Sequence, residues 1–132
     1  PKSFLNGASA AYEMIVTAFA NGDRDTLGPL LSAEVFEGFD AAISGREDKG
    51  QTMSTTLIGI DKMSLADAAM RDTNARVTVR VESQMITATY DKDGELVDGD
   101  PNKVSDVVDV WTFERDTASS NPNWALVATE SA

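Results

Sequence analysis

Apolar residues recur at helical spacing in the first part of the chain. Between Phe4 and Phe19 they return every three or four positions, which predicts a first helix. Asn21-Gly22 is typical of a helix end, because glycine follows the last turn of many helices. Asp23 can then cap a second helix. Gly28-Pro29 limits this second helix to a turn or two.

A third helix is predicted after Ser32, a good N-cap residue. One side of this helix would be apolar, and it would carry Val35, Phe36, Phe39 and Ile43. Gly50 would close it.

After residue 50 the spacing changes to that of strands. Leu57 to Met70 reads as a strand, and Ala75 to Val81 alternates between apolar and polar residues. The apolar parity then shifts after Ser83, which predicts a β-bulge near Ser83-Gln84. Asp93-Gly94 predicts the next turn.

Val104 to Arg115 is apolar at both parities, which favours a strand in the middle of a sheet. A polar loop from Asp116 to Asn123 leads to a last strand with Trp124, Leu126 and Ala128 on one face. The order is helices first, then about four antiparallel strands. The sequence therefore predicts one α+β domain over residues 1–132, with the helices packed on one face of a curved sheet.

Composition narrows the range of functions. The formal net charge is −11, and the chain has no histidine and no cysteine. Such a charge repels nucleic acid and anionic lipid and favours a basic or apolar partner. The commonest general base, disulfides and thiolate metal sites are excluded. We expect no cofactor, no metal and no membrane-spanning segment, so the chain itself should be soluble.

Three aspartates form the nearest approach to a catalytic set. Asp106 and Asp109, with Asp61, could supply a carboxylate base in an apolar site, as in isomerases of the ketosteroid type. A buried carboxylate at Asp109 would have a raised pKa. The alternative is a salt bridge from Asp109 to one of three arginines: Arg46, Arg80 or Arg115. We favour the salt bridge.

Two further groups of residues have a plain structural interpretation. The acidic segment Asp91 to Glu95, followed by Asp98 and Asp100, resembles a calcium loop but lacks its closing glutamate, so a hairpin turn is the better interpretation. Trp111 and Trp124 with Arg115 could anchor an interface, although strand aromatics usually face the core. The same two interpretations, an adaptable apolar patch or core packing, apply to the strand methionines: Met53, Met63, Met70 and Met85.

Three stretches resemble a known family by their order and spacing. They are Gly7-Ala8 through Tyr12 to Val16 and on from Ala18 to Asp23; Phe39 through Ala42-Ile43 to Arg46; and Asp109 to Arg115 with Pro122-Asn123-Trp124. Together they resemble the C-terminal domain of the 44-kDa subunit of the mitochondrial inner-membrane translocase, in its bacterial form.

This resemblance implies a cone-shaped fold of the nuclear transport factor 2-like superfamily. It also implies a domain peripheral to an inner membrane, on the cytoplasmic face in bacteria. In the mitochondrial relative the domain helps to tether import machinery and the seventy-kilodalton heat-shock chaperone, and contact with cardiolipin is proposed. We therefore expect a non-enzymatic scaffold that binds protein partners, such as a chaperone or translocation machinery, and possible contact with anionic lipid.

A cone of this type encloses a cavity between its sheet and helices. The residues expected to line it are Tyr12, Phe36, Phe39, Ile43, Trp111 and Phe113, with Asp109 as the buried carboxylate. The alternative for these residues is a filled core. A lined cavity would suit a second function, a small-molecule-binding or isomerase-like domain. A third possibility is a homodimer that covers an apolar, exposed face of the sheet.

Overall fold

The computed structural model describes residues 2–120 and 123–131. Asn121 of the predicted loop and Pro122 of the third matched stretch lie outside the described residues. The helical elements are α1 (Lys2–Asn21), α2 (Arg24–Leu27), a 3₁₀ turn (Gly28–Leu30) and α3 (Ala33–Asp48). The strands are β1 (Thr52–Arg71), β2 (Asn74–Tyr90), β3 (Leu96–Gly99), β4 (Ser105–Asp116) and β5 (Ala125–Ser131). Helices precede strands, and the predicted α+β class is confirmed.

The helix ends lie where the sequence predicts them. Gly22 has a φ of 67°, which a glycine adopts without strain, and it ends α1. The Asp23 carboxylate accepts a hydrogen bond from the Thr26 backbone N–H and so caps α2. Ser32 caps α3 in the same way by accepting from the N–H of Val35. The three helices are therefore separated by local chemistry that the sequence already contains.

The sheet is antiparallel, with the strand order β1-β2-β4-β5. Val104 to Arg115 was predicted to be central, and β4 does lie between β2 and β5. The short β3 pairs with the last residues of β2, on the same edge of β2 as β4, so β3 and β4 follow one another along that edge. β3 was not predicted, and β1 begins at Thr52 rather than at Leu57.

The predicted bulge lies in β1 and not in β2. The pairing of β2 with β4 runs without a shift from Asn74 to Met85. The pairing of β1 with β2 shifts three times, and the extra residues all belong to β1: Ile58, Asp61 and Ala66. Two of these shifts lie opposite Glu82 to Met85, so the sequence indicated the right level of the sheet but the wrong strand. The buried row of β2 continues through Ser83, which is only 2% exposed.

The core lies between α1 and the inner face of the sheet. Tyr12 and Ile15 of α1 and Ile43 of α3 are essentially inaccessible, as are Val79 and Val81 of β2. The Tyr12 ring packs on Trp111, with ring centroids 4.6 Å apart. Burial of these apolar side chains is the main force that holds the helices on the sheet.

The other face of the sheet is mixed: polar cross-strand pairs lie beside Val108 and Val110 of β4. Arg76 of β2 forms an ion pair of 2.7 Å with Glu114 of β4. One step along, the hydroxyls of Thr78 and Thr112 lie 3.0 Å apart and share a hydrogen bond. Cross-strand pairs of this kind belong on a solvated surface. These pairs make part of this face polar, and the homodimer stays a prediction.

Candidate functional site

The residues predicted to line one pocket are distributed over three environments. Tyr12 and Ile43 are fully buried, so the middle of the predicted pocket is filled core. Phe39 and Trp111 border a small apolar cavity of about 130 Å³ between the helices and the ends of β1 and β2. Phe113 borders a separate groove at the other end of α1. Phe36 is half-buried and packs on the core. The role of these residues in ligand binding stays a prediction.

Asp109 is bonded to a tyrosine rather than to an arginine. Tyr12 Oη donates to Asp109 Oδ2 at 2.8 Å. The Ser83 Oγ lies 3.0 Å from the same hydroxyl oxygen. Because a tyrosine has one hydroxyl proton, Ser83 must donate to Tyr12. Burial, followed by the bond to the Asp109 carboxylate, raises the pKa of Tyr12 well above its usual value.

The predicted arginine partners of Asp109 are occupied or placed elsewhere. Arg80 pairs with Glu82 of its own strand at 2.6 Å. Arg115 is on the inner face of β4, and its buried Nε has no hydrogen-bond partner among the described residues. Asp106 accepts from Gln84 at 3.2 Å on the outer face, and Asp61 is an exposed bulge residue. The salt-bridge prediction is therefore wrong, and the three aspartates do not converge.

Arg46 instead fastens α3 to the end of α1. Its Nη2 donates to the backbone carbonyl of Phe19 at 2.8 Å and to that of Ala20 at 3.3 Å. Its guanidinium carbon also lies 5.1 Å from the centroid of the Phe19 ring. These carbonyls belong to the last turn of α1, where no later helical N–H is available; the Phe19 carbonyl also accepts from the N–H of Gly22 at 3.2 Å. Desolvation by burial lowers the pKa of Arg46. The matched stretches that end at Asp23 and at Arg46 thus form one structural unit.

The predicted aromatic and methionine residues also lie in different parts of the fold. Trp111 is 6% exposed and belongs to the core, whereas Trp124 is half-buried and packs edge-on against Phe4 at 5.0 Å. Met53 and Met85 border the small cavity. Met63 packs against the core, and Met70 is 62% exposed, so the four strand methionines do not form one patch.

An apolar groove lies beside the first half of α1, and we call it the α1/β5 groove. Its volume is about 550 Å³, in the range of small-ligand and peptide sites. It is lined by Phe4, Gly7, Ala8 and Ala11 of α1, Pro29 and Leu30 of the 3₁₀ turn, Phe113 of β4, and Asn123 and Trp124 before β5. The groove is open because the residues of α1 that line it are mostly small, and the aromatic residues form its walls. The sequence signal for it was the glycine and alanine spacing within the first matched stretch.

The acidic segment after β2 is a hairpin turn. Asp91 Oδ1 accepts from the backbone N–H groups of Asp93 and Glu95, each at 2.9 Å. Gly94 has a φ of 83°, as the turn requires. Within residues 2–120 and 123–131, no three acidic side chains are placed to hold a metal ion. In the same part of the chain, no helix is both long and apolar enough to cross a membrane.

Comparison with known proteins gives relatives of one kind. The human mitochondrial import inner membrane translocase subunit TIM44 is 24% identical over 115 residues, which is 86% of this chain and 25% of the human protein. The probable subunit tin-44 of Caenorhabditis elegans is 28% identical over 78 residues, 58% of this chain and 18% of that protein. The chain thus spans about a quarter or less of the length of these relatives.

Solved structures share the fold at low sequence identity. The intermembrane space region of the chloroplast protein ARC6 has a TM-score of 0.60 at 14% identity and covers 96% of this chain and 95% of its own. A periplasmic fragment of TraM has a TM-score of 0.58 at 17% identity, with the same coverage. These likenesses, with helices laid on an open antiparallel sheet, agree with the nuclear transport factor 2-like fold expected from the sequence. The model of the Tim44-like domain matches residues 1–131, and the chain therefore belongs to the Tim44-like domain family.

Proposed function

We propose that this domain is a non-enzymatic docking module that binds a protein partner at the face of an inner membrane. The observation that carries the proposal is the α1/β5 groove, which presents Phe4, Leu30 and Trp124 around an open apolar space. Aromatic walls around such a space suit an apolar anchor residue from a partner. The printed names of the relatives, subunits of an inner membrane translocase, support a role in protein transport.

The charge of the chain favours a protein over a lipid surface. At −11, the domain is repelled by anionic headgroups such as those of cardiolipin. A neutral or basic protein surface carries no such penalty. We therefore place the partner among membrane proteins or their associated chaperones, and we make lipid binding an outcome of the test.

Gly7 offers a clean way to block the groove. A side chain added at Gly7 would meet no atom within 4 Å, and the residue is exposed on α1. Gly7→Gln should therefore fill the groove without disturbing the fold, and it replaces glycine by a better helix former. Gly38→Gln is the matched control, because Gly38 is also helical, exposed and free of neighbours at its Cβ position.

The test is co-sedimentation of the purified domain with inner membranes from its own cells. We expect the domain and the Gly38→Gln variant to sediment, and Gly7→Gln to lose most of the binding. Protease treatment of the membranes should abolish binding, and protein-free vesicles of the same lipids should not bind. Binding to those vesicles, or equal binding by both glycine variants, would overturn the proposal.

A small-molecule-binding or isomerase-like domain is the alternative. The observation in its favour is the cavity of about 130 Å³ beside Trp111, next to the Tyr12–Asp109 hydrogen bond. This cavity approaches the size that holds one benzene-sized molecule. Its lining includes Phe39 and Trp111 but neither oxygen of the Tyr12–Asp109 pair, so a bound molecule would meet no acid or base. A change in tryptophan fluorescence on titration with a small aromatic compound, measured in a Trp124→Phe variant so that only Trp111 contributes, would revive this alternative.

A further inference from the structure

A second groove lies on the outer side of the helical layer. It has a volume of about 420 Å³ and follows α1 from Ala10 to the start of α2, away from the α1/β5 groove. Its apolar part is formed by Ala10, Met14 and Ala18, and two carboxylates border it, those of Glu13 and Asp23. We call this the α1/α2 groove.

The two carboxylates of the groove have no basic partner in the described part of the chain. Glu13 is exposed and forms no ion pair there. Asp23 accepts from the backbone N–H of Thr26 at 3.1 Å and from its hydroxyl at 2.6 Å, and also from the backbone of Asp25, so its bonds are to neighbours in sequence and not to a basic group. The hydroxyl bond, followed by the backbone bond, lowers the pKa of the Asp23 carboxyl. The Asp23 carboxyl is therefore held in its charged form, and both acidic residues border the groove.

The arginines of the helical layer are already engaged. Arg24, the neighbour of Asp23 in sequence, bonds to Asp40 and, at 3.1 Å, to Glu47 on α3. Hydrogen bonds to Glu47 and then to Asp40 raise the pKa of Arg24. Arg46 is committed to the backbone carbonyls of α1. The negative charge of the α1/α2 groove is thus left for a group from outside.

The floor of the groove suits the stem of a long basic side chain. Met14 is 49% exposed, and its flexible thioether adapts to the shape of a bound group. Lysine and arginine carry three or four methylene groups, which lie well on apolar atoms while the charged end meets a carboxylate.

We infer that the α1/α2 groove receives a basic amphipathic helix of a partner protein, with one Lys or Arg on Glu13 and a second on Asp23. From Glu13 to Asn21, next to Asp23, α1 rises about 12 Å at 1.5 Å per residue. Two basic residues seven positions apart on the partner helix span a similar distance, and an apolar residue between them would contact Met14. This inference rests on the proposed function only in that the partner is a protein.

The probe is a short synthetic amphipathic helix with two lysines seven positions apart, labelled for fluorescence anisotropy. Glu13→Gln and Asp23→Asn remove the charges, and asparagine is as good an N-cap as aspartate, so α2 should be retained. We expect each change to weaken binding about three-fold, and both together about ten-fold, as for partly screened charge pairs. The control is Glu34→Gln with Asp48→Asn, two exposed acids of α3 that lie outside the groove. It has the same net charge as the double variant and should weaken binding less than about two-fold.

Three results would overturn the inference: no binding to the unaltered domain, equal weakening in the α3 control, or undiminished binding of a peptide with glutamine in place of both lysines. The test is separate from that of the proposed function, because Gly7→Gln leaves the α1/α2 groove intact. If Gly7→Gln retains membrane binding while the peptide result holds, the proposed function fails alone. If Gly7→Gln loses membrane binding and the peptide does not distinguish the acids, this inference fails alone.

Discussion

Replacing Tyr12 by phenylalanine tests the polar group at the centre of the core. The ring would keep its packing on Trp111, but the Asp109 carboxylate would lose a donor at 2.8 Å and Ser83 an acceptor at 3.0 Å. A hydrogen bond to a charged group contributes about 1.5–3 kcal/mol, so we expect the free energy of unfolding to fall by about 2 kcal/mol at pH 7. Urea unfolding followed by circular dichroism measures the change.

At high pH, the free energies of unfolding of the unaltered protein and of Tyr12→Phe should become more similar. The pKa of Tyr12 is raised in the folded state above the value of about 10 that it has in the unfolded chain. Stability from the protonated hydroxyl is complete below pH 10 and is lost as the pH rises toward the folded value, because only the unfolded chain releases the proton. At pH 11 the unaltered protein should therefore lose about 1.4 kcal/mol relative to Tyr12→Phe.

The control for Tyr12→Phe is Tyr90→Phe at pH 7. The Tyr90 side chain is half-buried, and its hydroxyl has no hydrogen bond to the described residues. We expect Tyr90→Phe to change the free energy of unfolding by about 0.5 kcal/mol or less. A similarly small effect of Tyr12→Phe at pH 7 would refute the hydrogen-bond argument. A difference between the unaltered protein and Tyr12→Phe that stays constant from pH 9 to pH 11 would refute the argument about its ionisation.

Further substitutions test the backbone and the helix anchor, each by urea unfolding at pH 7. Gly99→Ala should lower the free energy of unfolding by more than about 2 kcal/mol, because its φ is 76° and a Cβ would lie 2.2 Å from the Thr87 carbonyl oxygen. Gly94→Ala, with a φ of 83° but open space around it, should cost about 1 kcal/mol, and an equal effect at both glycines would contradict the role of the close contact. Arg46→Met keeps much of the stem but leaves the Phe19 carbonyl without its 2.8 Å donor, so we expect a loss of about 1–2 kcal/mol. Unchanged stability of Arg46→Met would contradict the anchoring role of Arg46, because the Gly22 N–H and water would then be enough for these carbonyls.

The helices and the long strands were predictable because their signals are local. Asp23 and Ser32 carry the caps that start α2 and α3, and each cap depends on atoms within three residues. β4 was predicted to be central because it is apolar at both parities, and its outer-face residues Val108 and Val110 are half-buried beside β2. β3 was missed because four exposed residues in an acidic segment form a strand only by pairing with β2.

The bulges of β1 were predicted in β2 because alternating apolar and polar residues show which side chains are buried, and not how two strands pair. Along β1, alanine, serine and methionine give little contrast between the two faces, so three extra residues leave no clear break in the pattern. Opposite these extra residues, the more apolar β2 shows a visible change in the parity of its apolar residues. A bulge is a property of two strands, and a pattern read along one strand does not tell which of them carries the extra residue.

The error at Asp109 has a different physical origin. The sequence correctly marked Asp109 as a carboxylate among apolar neighbours, and charge alone pointed to an arginine. Its donor is Tyr12, which lies 97 positions away and which helical spacing assigns to the apolar stripe of α1. Tyrosine provides both apolar packing and a donor. Its ring fills core volume, and its hydroxyl gives the Asp109 carboxylate a hydrogen bond that offsets the loss of water. With a neutral donor from α1 on Asp109, Arg46 bonds instead to the end of that helix. The polar group beneath α1 and the arginine at its end therefore act together to orient this helix, and the orientation of α1 places both grooves on the surface.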